Sequence, residues 1–497
     1  MKNVIVIGSG FAGLSAACHL AKAGARVTVL DKNPTPGGRG HTFSAEGFTY
    51  DAGPSWYWMP DVFERFFASF GKTVADYYTL TRLDPSYRVF WEDGPADIPA
   101  SQHALLSLFE KLEPGAGMRL DAFLKEAAYK YREGIGKLVY QPGLSPLEFV
   151  RTDVLSALFR IQLLQSVRKH VRRFFSNPKL LQLVEFPILF LGALPENTPA
   201  LYTLMNYADM VGGTWYPAGG MGRVAEAMHA LAVELGVEFR FDTAVREIVC
   251  EGREAIGVRT NDALHPADAV VAACDYHHAE QQLLPAAHRT YSEKYWDSRS
   301  LAPSCLLYYV GVRGRVEGLQ HHNLFFDAPF EKHARQLYAD NPSWPDEPLL
   351  YVCCPSKTDS SVAPPGDENL FILIPVAPGL EDTEAIREKY FSLALERIQQ
   401  RTGNQFTERI VYKKSYAYQD FVQDYNSYKG NAYGLANTLR QTAFLKPSLQ
   451  SSKVRNLVYA GQLTVPGPGV PPSLISGELA AAQLRKIFHL KPQPATL

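Results

Sequence analysis

Three glycines at fixed spacing, Gly8-x-Gly10-x-x-Gly13, separate an apolar run from a helix-like stretch, an arrangement that can cradle a pyrophosphate. Gly8 permits a tight turn and Gly10 lets a phosphate approach the backbone. Gly13 lets the following helix pack closely on the strand. The start of that helix, at Phe11 and Ala12, would add amide donors and a positive dipole end. Asp31 closes the next apolar run, where it can accept hydrogen bonds from an adenosine ribose, with Lys32 beside it. The chemistry these residues suit is dinucleotide binding, and their spacing alone does not separate NAD from FAD.

The elements that must position them follow from the surrounding pattern. Val4-Ile-Val-Ile7 is a short, wholly apolar strand of the buried parallel type. Leu14, Ala17 and Leu20 share one helical face, Gly24 stops that helix, and residues 26–30 form a second strand. Pro36-Gly-Gly-Arg-Gly40 and Asp51-Ala-Gly-Pro54 come next, with Gly37 and Gly38 suited to close approach and Arg39 to phosphate oxygens. Two later segments read as returns to the same unit. One runs from residue 215 through strands at 237–241 and 243–249 to an apolar strand at 269–273. The other is the strand 456–460, then a loop from Gly461 to Gly469, Val470 and Pro471. Pro471 and Pro472 suit the first turn of a helix to about residue 487, whose positive end would face that loop.

Segments 75–213 and 286–440 are inserts; the first is mostly helical by period and the second rich in strand-like runs. The expected architecture is an α/β fold: a discontinuous Rossmann-like domain (1–75, 214–285, 441–497) with an inserted α+β substrate domain (76–213, 286–440). A helical layer over a sheet would line an apolar cavity.

With 497 residues, the chain is long enough for two or three domains. A net charge of -1 excludes a nucleic-acid partner held by phosphate contacts. The six cysteines include no Cys-x-x-Cys pair, and adjacent Cys353 and Cys354 would face opposite sides of a strand. Buried thiols, and no metal site, are expected. No apolar run approaches the ~20 residues of a membrane-spanning helix, and a strand follows Met1 almost at once. A cytoplasmic protein is therefore expected. No Ser-His-Asp or Cys-His arrangement and no H-E-x-x-H is present, so the catalytic residues stay unassigned; His277-His278 reads as part of a polar surface loop.

The glycine loop followed by Pro36-Gly-Gly-Arg-Gly40 and Asp51-Ala-Gly-Pro54 resembles the flavin-containing amine oxidase and carotenoid desaturase superfamily. That resemblance implies FAD. It puts Gly37, Gly38 and Arg39 at the flavin side and pyrophosphate, Gly53 and Pro54 in the cofactor contact set, and Val245 beside the adenine. Residues 425–439 and 461–477 resemble phytoene desaturases of the bacterial and fungal type. The resemblance implies desaturation of phytoene to neurosporene- or lycopene-type carotenoids, with quinone or oxygen as electron acceptor. Many bacterial members carry Gly-Ala-Gly-Thr-His-Pro-Gly where this chain has Gly461-Gln-Leu-Thr-Val-Pro-Gly, so the histidine is missing. A carotenoid 3,4-desaturase, a carotenoid isomerase, a retinoid saturase and a non-redox lipid-binding escort of the same fold remain alternatives.

An oil-soluble substrate comes from a bilayer. Residues 149–164 have helical apolar spacing and lead to Arg168, Lys169, Arg172 and Arg173 beside Phe174 and Phe175. Such a segment can lie on the inner face of an anionic membrane as a peripheral anchor.

Overall fold

A computed structural model describes residues 1–145, 148, 165–190, 192–339 and 341–490. The apolar helix expected at 149–164 lies outside the described residues.

The strand Asn3–Ile7 is buried beyond its first residue and sits at the centre of a five-stranded, all-parallel sheet. The order across the sheet is 457–459, 269–272, 3–7, 26–30, 238–240, so three distant parts of the chain meet there. Alternation explains its two covers. Val4 and Val6 face a core shared with the helices Phe11–Lys22 and Gly222–Glu234, whereas Ile5 and Ile7 face Ile248 and Val258 of a three-stranded antiparallel meander. The helix Val470–Phe488 crosses Phe11–Lys22 where Gly477 removes the side chain. A Cβ on Gly477 would lie 2.2 Å from the Ala12 carbonyl oxygen, and Ser15 Oγ donates to the Leu474 carbonyl at 2.7 Å.

A second sheet has seven strands in the order 410–416, 304–312, 368–376, 350–353, 322–325, 87–91, 94–98. All its pairings are antiparallel except the one between Tyr87–Trp91 and His322–Phe325. Leu306, Tyr308 and Val310 point to one face, under Tyr390, Ala394 and Ile398 of the helix Glu384–Thr402. Leu307 and Tyr309 point to the other face, towards the cofactor-side core. Tyr309 Oη donates to the Ala52 carbonyl at 2.6 Å, and Ser55 Oγ and Tyr351 Oη lie 2.8 Å apart, tying the large sheet to the loop at residues 52–55.

The architecture is the expected α/β one, with three local corrections. The first insert, expected to be mostly helical, supplies the last two strands at one side of the large sheet as well as helices such as Gln102–Leu112 and Ala116–Gly134. Strand pairing across the chain decided this, and no local period announces it. The strand expected at 243–249 begins only at Glu247, leaving Val245 in irregular backbone. His277 and His278 lie in the short helix Tyr276–His278, capped by Asp275, rather than in a surface loop. Cys353 and Cys354 do face opposite cores, and all six cysteines are free. Among the described residues, no helix is long and apolar enough to cross a membrane.

Candidate active site

A cavity of 680 Å³ opens at the carboxyl ends of the parallel strands, lined there by Gly8, Asp31, Cys274 and Gly461. This is the edge at which open α/β sheets bind ligands. The glycine loop is held shut by short backbone bonds: Gly8 N donates to the Leu30 carbonyl at 2.8 Å and Gly37 N to the Ser9 carbonyl at 2.9 Å. The loop glycines differ in purpose. A Cβ on Gly10 would meet nothing within 4 Å, because that position faces the cavity, whereas one on Gly13 would lie 2.0 Å from the Gly8 carbonyl oxygen.

The cavity gathers most of the expected residues into one wall: Gly8, Gly10, Phe11, Ala12, Asp31, Lys32, Gly37, Gly38, Arg39, Gly53, Pro54, Val245, Gly461, Gly469 and Val470. Gly13 and Pro471 do not line it. Gly13 sits beneath the loop as a packing position, and Pro471 lies in the first turn of the helix Val470–Phe488.

Asp31 is already engaged by the protein. Its Oδ2 accepts from Ser9 N at 2.7 Å and Ser9 Oγ at 2.6 Å, and its Oδ1 accepts from Asn33 N at 2.8 Å. The carboxylate therefore shapes the loop as well as offering remaining lone pairs to a ribose. Lys32 Nζ donates to the Gln423 carbonyl, anchoring the same corner.

Arg39 carries the clearest sign of an anion-binding role. Its Nη2 donates to Ser427 Oγ at 3.0 Å and the Asn431 carbonyl at 3.2 Å, and its guanidinium lies 5.0 Å from the Tyr425 ring centre. Its Nε is enclosed and has no partner in the protein. An enclosed donor on a cation that lines the cavity fits a pyrophosphate oxygen. Burial works against the charge on Arg39, and the nearby Asp275 carboxylate offsets part of that.

Sequence reasoning missed part of the wall. Thr243 and Arg246 from the loop after the edge strand, and Tyr425 and Asn426 from the carboxy-terminal segment, line it. His278 lines it too, held neutral with its pKa lowered to about 4 by burial, and further by the Lys32 charge. Residues 425 and 426 belong to a stretch that carries the family resemblance, which was their only signal.

The other end of the cavity is apolar. Cys305, Leu307, Phe371 and Leu373 of the large sheet form it, together with Tyr433. A second, smaller cavity of 60 Å³ adjoins it there, sharing Leu373 and Tyr433 with the first. Phe186, Phe326 and Phe330 line it, and so does His333, whose two nitrogens are both used. His333 Nδ1 accepts from Leu349 N at 2.8 Å, and Nε2 donates to the Pro375 carbonyl at 3.0 Å.

The family of flavin containing amine oxidoreductases matches residues 11–485. The chain belongs to this family. Within it, the chain is 46% identical to a carotenoid 3,4-desaturase of Haloarcula japonica, across 97% of this chain and 98% of that protein. It is 32% identical to a zeta-carotene-forming phytoene desaturase of Myxococcus xanthus, across 98% and 95%. A phytoene desaturase of Phycomyces blakesleeanus is 29% identical, across 100% and 87%. Among solved structures, cyclohexylamine oxidase from Brevibacterium oxydans superposes with a TM-score of 0.58 at 16% identity, covering 98% of this chain and 99% of that one. A fatty acid isomerase from P. acnes gives 0.61 at 16%, over 98% and 99%; these two likenesses establish the fold. The protein is an FAD-dependent oxidoreductase of the carotenoid desaturase family, acting on carbon–carbon bonds.

Proposed function

We propose that this chain desaturates a long, linear carotenoid that threads the apolar cavities past Leu373 and Tyr433 to reach the flavin. The observation that supports it is that a polar, glycine-walled end that suits a dinucleotide shares one cavity with an apolar end, and that a second cavity lined by aromatic and aliphatic side chains adjoins that end at Leu373 and Tyr433. FAD, when bound, supplies the acceptor for a hydride leaving an allylic carbon. In this reading Gly8, Gly10, Gly38 and Arg39 hold the pyrophosphate, Asp31 the ribose, Val245 the adenine, and residues 461–470 the flavin. Leu373 and Tyr433 align the polyene, and the apolar wall excludes water while positive charge spreads over it. His333 is fully hydrogen-bonded within the fold, consistent with a site that works by alignment rather than through a dedicated base.

Of the finer assignments, 3,4-desaturation of an acyclic carotenoid is favoured by the 46% identity to the Haloarcula japonica protein. Desaturation of phytoene to neurosporene or lycopene is the second reading, supported by the 32% relative. Expression in cells that accumulate phytoene, and in parallel in cells that accumulate acyclic hydroxycarotenoids, separates them. New, longer-wavelength pigment is expected in the second host only; pigment arising from phytoene would replace the first reading by the second. A colourless purified protein that does not bleach with dithionite would instead favour a lipid-binding escort.

The cofactor unit in this reading comprises 1–75, 214–285 and 441–497, and the remainder binds substrate and touches the membrane, with quinone or oxygen taking the electrons. Membrane contact rests on fewer charges than the basic run offers. Arg168 reaches Glu185, Glu196 and Glu331, and Arg172 reaches Glu185 and Glu331, so Lys169 and Arg173 are the exposed cations left for lipid phosphates.

A further inference from the structure

On the cofactor-facing side of the seven-stranded sheet, His322 and Cys353 stand directly opposite each other in the antiparallel pair 322–325 and 350–353. His321 precedes the first strand, and its ring meets that of His322 at 4.5 Å and 68°. The three residues are 4%, 0% and 1% exposed for His321, His322 and Cys353 respectively. One ligand atom from each lies within 4.8 Å of the other two.

The hydrogen bonding sharpens this cluster. His321 Nδ1 is 2.8 Å from Thr358 Oγ1, and His322 Nδ1 is 2.8 Å from Tyr351 Oη. The Nε2 atoms of both histidines are buried without a partner. A buried imidazole nitrogen left without a partner is costly, so the arrangement calls for an occupant. Metal-bound histidines show this pattern, one ring nitrogen held by an outer group and the other directed at the ion. His322 is braced further by a stacked Trp56 at 4.1 Å and 7°.

We propose that His321, His322 and Cys353 bind a Zn(II)-class cation that ties strand 322–325, and the turn before it, to strand 350–353 within the large sheet. Two imidazoles and a thiolate are a borderline-soft donor set suited to zinc, with bonds of about 2.0–2.1 Å to nitrogen and about 2.3 Å to sulfur. One ring nitrogen of each histidine and the Cys353 sulfur lie within 4.8 Å of one another, so reaching those lengths requires the three side chains to draw together around the ion. Binding forms a Zn–S bond and releases the Cys353 thiol proton to solvent, one proton per ion. Burial pushes that thiol up, and the incoming cation reverses the balance. The surroundings complement a positive ion. Asp359, beside His321, accepts from Gly219 N at 2.6 Å and Tyr216 Oη at 3.2 Å and supplies a negative charge on that side. No sequence motif flags this site, because only the pairing of two strands joins residues 321 and 322 to 353. It is the single cluster of its kind among the described residues.

The test uses the full-length flavoprotein. Elemental analysis after purification is expected to give about one zinc per chain. After chelation, Co(II) should restore about one equivalent, with a near-ultraviolet thiolate-to-cobalt charge-transfer band and tetrahedral visible bands. Cys353→Ser should abolish the charge-transfer band. Cys354→Ser, whose thiol faces the other core beside Ser356, should leave it intact. Thr358→Val should weaken Co(II) binding roughly 10–100-fold. If Cys353→Ser fails to fold, a zinc-dependent rise in the melting temperature of the chelated wild type carries the test. Wild-type protein that takes up neither metal, with no band and no thermal shift, overturns the proposal. None of these readouts depends on which carotenoid is the substrate.

Discussion

The two sheets solve different problems with different materials. The parallel sheet presents backbone at its strand ends: bare glycines, amide donors and one enclosed guanidinium, all set by local spacing from Gly8 to Arg39. The seven-stranded sheet presents side chains, drawn from both inserts and from strands far apart in the chain. A phosphate needs donors at fixed positions, whereas a polyene needs only shape and dryness. The cofactor half is therefore intolerant of single-atom changes, and the substrate half should tolerate exchange while changing specificity.

The largest expected effect lies within the glycine loop itself. Gly13→Val should prevent folding, since its Cβ falls 2.0 Å from the Gly8 carbonyl oxygen. Gly10→Val should fold and lose flavin, because its Cβ enters the cavity. Soluble yield and visible absorbance per chain distinguish the two, and equal behaviour would show that the cavity is not the flavin seat. Arg39→Met should next weaken FAD binding roughly 10- to 100-fold, the worth of a charge-assisted bond of about 1.5–3 kcal/mol, as read by flavin titration of the apoprotein.

In the substrate half, Tyr433→Ala should keep full flavin content while shifting the ratio of pigment products. A loss of flavin instead would place Tyr433 on the cofactor side of the comparison.

A pH effect also belongs to this half. Burial raises the Asp209 carboxyl from 3.8 to about 7, although Tyr87 and Thr214 donate to it. The folded state thus holds its proton more tightly than the unfolded state does. The resulting stability is present below about pH 4 and is lost as pH rises through about 7. Asp209→Asn should flatten that part of the stability–pH curve in denaturant titrations. The smallest effect is at the surface: neutralising Lys169 and Arg173 should weaken binding to anionic vesicles by about 1 kcal/mol per charge. Neutralising Arg168 and Arg172, which are paired with Glu185 and Glu331, should do less. Sedimentation with vesicles of increasing anionic lipid content measures both.

Legibility followed the same divide. Gly8 to Arg39 could be read directly, since each residue acts within a few positions of its neighbours. Asp31 lines the cavity at the end of its strand, yet its bonds to Ser9 were invisible, because loop closure sets them. Gly13 and Pro471 do not line the cavity; they take the packing and helix-start roles that their local spacing predicts. Tyr87–Trp91 was hidden among helices, because a five-residue strand acquires its state from a partner elsewhere in the chain.

The sequence by itself determined the dinucleotide unit, the FAD-type signature and the family, because phosphate recognition is written in short-range glycine geometry. Only the tertiary structure decided how the cofactor half opens into an apolar half at Leu373 and Tyr433, and that His321, His322 and Cys353 converge. Those contacts depend on sheet order and register, which arise when distant strands exchange solvent for one another, and no local spacing encodes that exchange.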